Sequence, residues 1–314
     1  AFSPYQHQQM RIIEFPGYRD FAQSFANTVP YSEGIGFIND LRNKDSIDMP
    51  YYVTAHEMAH QWWGHQVGTA NVQGSAVIPE TLAQYSALRV METKYGQAKL
   101  RKFLKYELDR YLRGRTEEQV EEQPLLRAEG QGYIHYRKGS IVMMAIKDRI
   151  GATRVDANLK AFLQEFQYKQ TPYPTTLDLM RHLTAGVSPE DKTFIEQQFN
   201  QITLYDLRLL ELNKTELPDG RLQLDLTIQA ARLSADGKGV ETEQPLDEAI
   251  DIGAFSADPD EFAADNQLLY LEKHRLKSGK QQVRVVVPKG TTYIGVDPLI
   301  KLIDRDAADN IRKL

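Results

Sequence analysis

The spacing of apolar positions changes character near residue 202. Before it, apolar residues recur at three- and four-residue intervals, the mark of helices packed by one face. After it they alternate or cluster in short stretches, closed by Asp219-Gly220, Asp236-Gly237 and Ser278-Gly279. That is the pattern of strands and tight turns. In the first part, 10–15 and 34–38 read as short β-runs broken by Gly and Pro. A helix is predicted from near Asp48, with Pro50 early in it, through Trp63 to a stop at Gly64. After a connector, Pro79 opens a second helix carrying Leu82, Tyr85, Leu88 and Met91, and Gly96 ends it. Further helices are predicted over 97–114, 133–149, 152–168, 176–184 and 188–201, with Thr176 and Ser188 as caps. The acidic, Gln/Gly-rich stretch 115–132 reads as a surface loop on the rim of a cleft. Strands are predicted over 204–212, 221–230, 249–255, 267–271 and 281–287. Helices first and strands after make a two-domain α+β architecture: a mostly helical unit over 1–202, then a small β-sandwich over 203–314.

Composition narrows the function classes. The 314 residues exceed what one compact core usually organises. Hydrophobic residues make up 41% and charged residues 26%, which excludes a disordered or fibrous chain. The longest purely apolar run, 141–146, is far short of the about 20 residues that cross a bilayer. Net charge is −5 with no basic block, so nucleic acid is not an expected partner. With no cysteine, disulfides, thiolate zinc sites and cysteine nucleophiles are all excluded. The chain opens Ala-Phe-Ser-Pro and reads as an excised or processed fragment.

The strongest local chemistry is His56-Glu57-Met58-Ala59-His60. On a helix, positions four apart lie about 40° apart around the axis, so both imidazoles project from one side, one turn apart. Two neutral nitrogen donors thereby reach one metal ion, and Glu57, one step round, can take a proton from water without being a ligand. A catalytic zinc site wants a third protein ligand. If the two helices pair antiparallel through the connector, Glu80 returns beside the histidines and Glu92 lies three turns too far. The plainer role for Glu80 is a carboxylate stabilising a helix N-terminus. His65, five residues after His60, points about 140° away and reads as packing or rim, as do Trp62 and Trp63. His7, His182 and His274 read as structural or solvated, and His135 as either structural or cleft-lining.

The run His56-Glu57-Met58-Ala59-His60-Gln61-Trp62-Trp63-Gly64, followed by Glu80-Thr81-Leu82-Ala83-Gln84-Tyr85, resembles gluzincin metallopeptidases of the aminopeptidase N and leukotriene hydrolase type. Pro30-Tyr31-Ser32-Glu33-Gly34-Ile35-Gly36-Phe37 sits where that family has its Gly-Ala-Met-Glu-Asn strand, and Tyr136-Arg137-Lys138-Gly139-Ser140 resembles its Tyr-Glu-Lys-Gly-Ala. The wording is most similar to a branch fused to, or encoded with, ABC-type permease segments of bacterial membrane proteins. The resemblance implies a thermolysin-like catalytic domain with Zn(2+) on His56, His60 and Glu80, Glu57 as general base and Tyr136 as donor to the oxyanion. It implies that Glu33 binds the α-amine of a peptide substrate, and that the domain lies outside the cytoplasm.

Departures from the family pattern bear on the surroundings of the site. Nineteen residues separate His60 from Glu80 where eighteen are usual, so the connector must bulge. Pro79-Glu80-Thr81 replaces Asn-Glu-Gly, and Arg137 stands where a glutamate is common. The family's N-terminal β-domain, a source of further amine-binding groups, is not in this sequence. Three readings follow: a zinc aminopeptidase, a zinc hydrolase without free-amine selectivity, and a non-catalytic, zinc-stabilised extracytoplasmic module of a transporter.

Overall fold

The computed structural model describes residues 2–42, 46–261 and 263–314. The chain begins with a two-stranded parallel sheet, β1 (Arg11–Phe15) beside β2 (Thr28–Ser32), with Arg11 opposite Thr28. The strand expected over 34–38 is instead a helical turn, α1 (Glu33–Gly36). Its cause is local. The Ser32 hydroxyl accepts from Gly34 N, and the N–H groups of Phe37 and Ile38 both bond back to the Glu33 carbonyl.

Asp48 caps α2 (Met49–Ala59) by accepting from Tyr51 N at 3.0 Å, and Pro50 sits in the first turn, where no N–H is needed. Regular helix ends at Ala59, short of the expected Trp63. The chain then continues in turns bonded back to α2 until Gly64, at φ 124°, redirects it. A π-helical turn, Val77–Thr81, leads into α3 (Leu82–Glu117). A second π-turn, Tyr133–Lys138, leads into α4 (Gly139–Ile150). Then come α5 (Ala152–Phe166), α6 (Thr176–Leu183) and α7 (Pro189–Asn200). Thr175 rather than Thr176 caps α6, in a capping box with Asp178, while Ser188 caps α7.

α3 is two helical arms joined at Gly96. At Gly96 the backbone takes φ 74° and ψ −173°, a combination open almost only to glycine. Gln84 and Glu107, 23 residues apart, meet at 3.0 Å across this break. On a straight helix they would stand about 35 Å apart. The helix stop read at Gly96 is therefore a fold-back between two helical arms. Trp63, Leu82, Leu88, Phe103, Ile141, Phe162 and Phe199 are among the side chains of the helical core. Each such burial stabilises the fold by about 1.5–3 kcal/mol relative to exposure.

The remaining chain is antiparallel sheet: β3 (Ile202–Glu216), β4 (Leu222–Ala235), β5 (Glu241–Gln244), β6 (Asp247–Phe255), β7 (Leu268–Lys277), β8 (Gly279–Val287), β9 (Tyr293–Val296) and β10 (Ile311–Lys313). One sheet has the order β10-β9-β6-β7. In the other, β4 pairs β3 along one edge and shares its other edge between β8 and β5. Leu207, Leu226, Ile252, Val287 and Ile294 come from both sheets into one core, so the two form a sandwich. The whole is α+β.

Helices and sandwich are tied by packing and by charge. Ile202, Leu204, Ile300 and Ile303 insert into the helical core. Arg101 of α3 donates to the carbonyls of Pro298 and Pro259 at 2.7 and 2.8 Å. Lys301 Nζ reaches Asp148 of α4 at 2.6 Å and Asp251 of β6 at 2.5 Å. Among the described residues, no helix is long and apolar enough to cross a membrane.

Candidate metal centre

The two imidazoles of α2 and the carboxylate of the first π-turn converge. One donor atom each from His56, His60 and Glu80 lies within 4.8 Å of the others. The two Nε2 atoms are 3.0 Å apart, and Glu80 Oε2 is 3.3 Å from His56 Nε2 and 3.4 Å from His60 Nε2. Although His60 lies just past the regular helix, its φ of −60° and ψ of −18° keep the ring on the His56 side. His60 Nδ1 sits 2.9 Å from the Trp63 carbonyl. A carbonyl can only accept, so the proton is on Nδ1 and the Nε2 lone pair faces the cluster.

This donor set fits a divalent cation. Glu80 Oε2 is buried and makes ion-pair contacts with the two imidazoles, with no hydrogen-bond partner among the described residues. Three Lewis-basic atoms facing one point, without a proton each to share, are the condition a metal relieves. Burial opposes ionisation of Glu80, yet the two imidazoles outweigh it and hold the carboxyl well below its ordinary range. Glu57 is buried alongside. Burial raises its carboxyl above the ordinary range, with His56 and His60 opposing.

Tyr136 enters from the second π-turn, its ring centroid 5.7 Å from that of His56. Burial and the Glu80 charge raise its phenol well above the ordinary value, so the hydroxyl keeps its proton and remains a donor. The two π-turns touch. Thr81 Oγ1 donates to the His135 carbonyl at 2.5 Å, and a Cβ on Gly139 would lie 2.4 Å from that same Oγ1. Glu80 is presented from the first of these π-turns, which holds one more residue than an α-turn.

The structure thus brings together His56, His60, Glu80, Glu57 and Tyr136. Glu33 is placed differently: it opens α1, and its Oε1 accepts from Gly17 N at 2.7 Å. Glu92 pairs with Lys147 and Arg89. His65 is exposed, bonded to the Ser24 carbonyl at 3.1 Å, and His182 pairs with Glu165 at 2.9 Å. His135 is buried against Tyr136, ring centroids 4.8 Å apart. Sequence reasoning missed the Trp63 carbonyl that orients His60. It also missed a buried polar group behind the centre, Tyr52, Gln84, Glu107 and Arg137. Its one visible signal was an acid, Glu107, on the otherwise apolar stripe of Phe103, Leu104, Leu108 and Tyr111.

The model of the peptidase family M1 domain matches residues 2–201. A protein of Caenorhabditis elegans named "Putative aminopeptidase-2" is 29% identical over 135 residues, covering 42% of this chain and 7% of that protein. Two structures of a mutant M1 zinc metallopeptidase of Deinococcus radiodurans, one bound to a Tyr-Ser-Ala substrate, align with a TM-score of 0.46 at 20% identity. Each alignment covers 63% of this chain and 41% of that one.

Proposed function

We propose that this chain, which belongs to peptidase family M1, is a zinc-dependent peptidase that removes N-terminal residues from peptides. The observation that carries the reading is the convergence of His56, His60 and Glu80, with Glu57 and Tyr136 on the same centre. Residues 1–202 would carry the chemistry, and the β-sandwich over 203–314 would support it.

His56, His60 and Glu80 would hold Zn(2+). The ion supplies Lewis acidity, polarising the scissile carbonyl and acidifying water. Glu57, kept more basic than an exposed glutamate, takes the proton of the attacking water and returns it to the leaving amine. Tyr136 donates its O–H to the oxygen that gains charge as the carbonyl is attacked. Glu33 faces the substrate ammonium and sets the register at the first peptide bond.

One observation favours a second reading, a peptidase without strict free-amine selectivity. The Glu33 carboxylate is already engaged by Gly17 N. The experiment that tests both measures zinc content and hydrolysis of matched free-amine and N-acetylated peptides, with and without chelator. Zinc-dependent cleavage of the free-amine series alone supports the aminopeptidase. Equal cleavage of both series supports the second reading, and no cleavage by the zinc-loaded protein sinks both.

The likeness to a permease-associated branch extends the proposal to location, with the centre outside the cytoplasm beside a membrane partner. A tagged parent protein in spheroplasts should then be cut by added protease. Protection of this segment until lysis would refute the placement.

A further inference from the structure

We propose that Glu107 is a positioning residue, a buried carboxylate hub that fixes the relative placement of the three segments carrying His56, Glu80 and Tyr136. The inference rests on the reading of those residues given above. Glu107 is fully buried on the second arm of α3. Its Oε1 accepts from the Tyr52 hydroxyl at 3.0 Å, from Gln84 Nε2 at 3.0 Å and from Arg137 Nη1 at 3.1 Å. Its Oε2 accepts from the same Nη1 at 3.3 Å, and Gln84 also donates to the Tyr52 oxygen at 2.9 Å.

The identity of the donors gives these bonds meaning. Tyr52 lies one turn before His56 on α2, Gln84 one turn after Glu80 on α3, and Arg137 follows Tyr136 in the π-turn. One carboxylate thus holds one donor from each segment that builds the centre. The fold-back at Gly96 is what returns Glu107 to that point.

Neutralising Arg137 would need only the ion pair. The additional donors, from the other two segments, are what a device for fixing geometry requires. An apolar cluster of similar volume would be at least as stable, because burying a carboxylate away from water is costly. A network of directional bonds instead fixes distances between segments that apolar packing leaves soft.

The test uses the full chain loaded with zinc and the variant Glu107→Gln, which keeps the volume and removes the charge. Zinc affinity is read by competition with a chelating dye, folding by circular dichroism and melting, and kcat and KM on a free-amine dipeptide. The folded variant is expected to bind zinc about tenfold more weakly, the scale seen when partners behind metal ligands are lost, and to lose kcat with KM little changed. A part that merely contributes to stability would lower the melting temperature and leave zinc affinity and kcat as they were, which overturns the proposal. If Glu107→Gln does not fold, Tyr52→Phe decides. It removes the hydroxyl that bonds both Glu107 and Gln84 without moving a charge, and a loss of zinc affinity supports the hub while wild-type affinity overturns it. Wild-type protein that binds no zinc sinks the functional reading and the hub together. A zinc-loaded, active wild type with unaltered variants sinks the hub alone.

Discussion

At the centre, two side chains with different duties should separate under mutation. Glu57 is buried beside the ligands but is not one of the three converging donors, so Glu57→Gln is expected to keep zinc. Its loss as a proton carrier should lower kcat by about 10²–10⁴. Metal analysis alongside turnover checks this, and full activity in the variant would remove Glu57 from the mechanism. Tyr136→Phe deletes a donor to a charge that grows only during reaction, so kcat should fall by about 10²–10³ while KM barely moves. A rise in KM at constant kcat would instead make Tyr136 a substrate contact. That both imidazoles share one side of a helix was legible from a spacing of four, because helical geometry is local. The partner of His60 was not, since the Trp63 carbonyl reaches Nδ1 only through the turns beyond Ala59. Glu107 was visible as an acid on an apolar stripe, but its three donors come from three segments and no local pattern names them.

At the scale of elements, the start of α2, the cap at Ser188 and the long strands β3, β4 and β8 were legible, because each follows from periodicity and end signals. The losses have physical reasons. Glu33–Gly36 carries an apolar-glycine pattern that suits a strand, but the Ser32 cap and two bonds to one carbonyl close a turn there. β5, β9 and β10 are three or four residues long, too short to show alternation. Gly96 read as a helix stop for the right reason, with a consequence that needed the structure. Its φ of 74° and ψ of −173° fold α3 back, and a Cβ there would stand 2.3 Å from Asp265 Oδ2. Gly96→Ala is therefore expected to cost about 1–3 kcal/mol, read as a lower urea midpoint. A midpoint equal to wild type would mean the two arms can meet without this backbone conformation.

Across the whole molecule, the α4–sandwich junction sets an acid limit on stability. Asp148 of α4 faces Lys301 and Lys273 from the sandwich side, with Asp251 of β6 sharing both lysines. Asp297, also buried there, accepts from the backbone N–H groups of Lys301 and Leu302. Burial works against ionisation of Asp148, but Lys301, then Lys273, outweigh it and hold its pKa below the ordinary value of 3.8. A carboxyl lowered on folding binds fewer protons in the folded chain than in the unfolded one. Its contribution is thus fully present above 3.8 and disappears as pH falls through the folded value. Asp148→Asn should lower the unfolding midpoint at pH 7, because two cations lose their bridge between α4 and the sandwich. The gap from wild type should then narrow as pH drops below 3.8. Comparing the two chains at each pH sets the rest of the sequence as a common background. The measurement is a series of urea melts from pH 7 downward. A gap of constant size at every pH would show that Asp148 acts by shape and not by charge, and the acid sensitivity of this chain would then have to arise elsewhere.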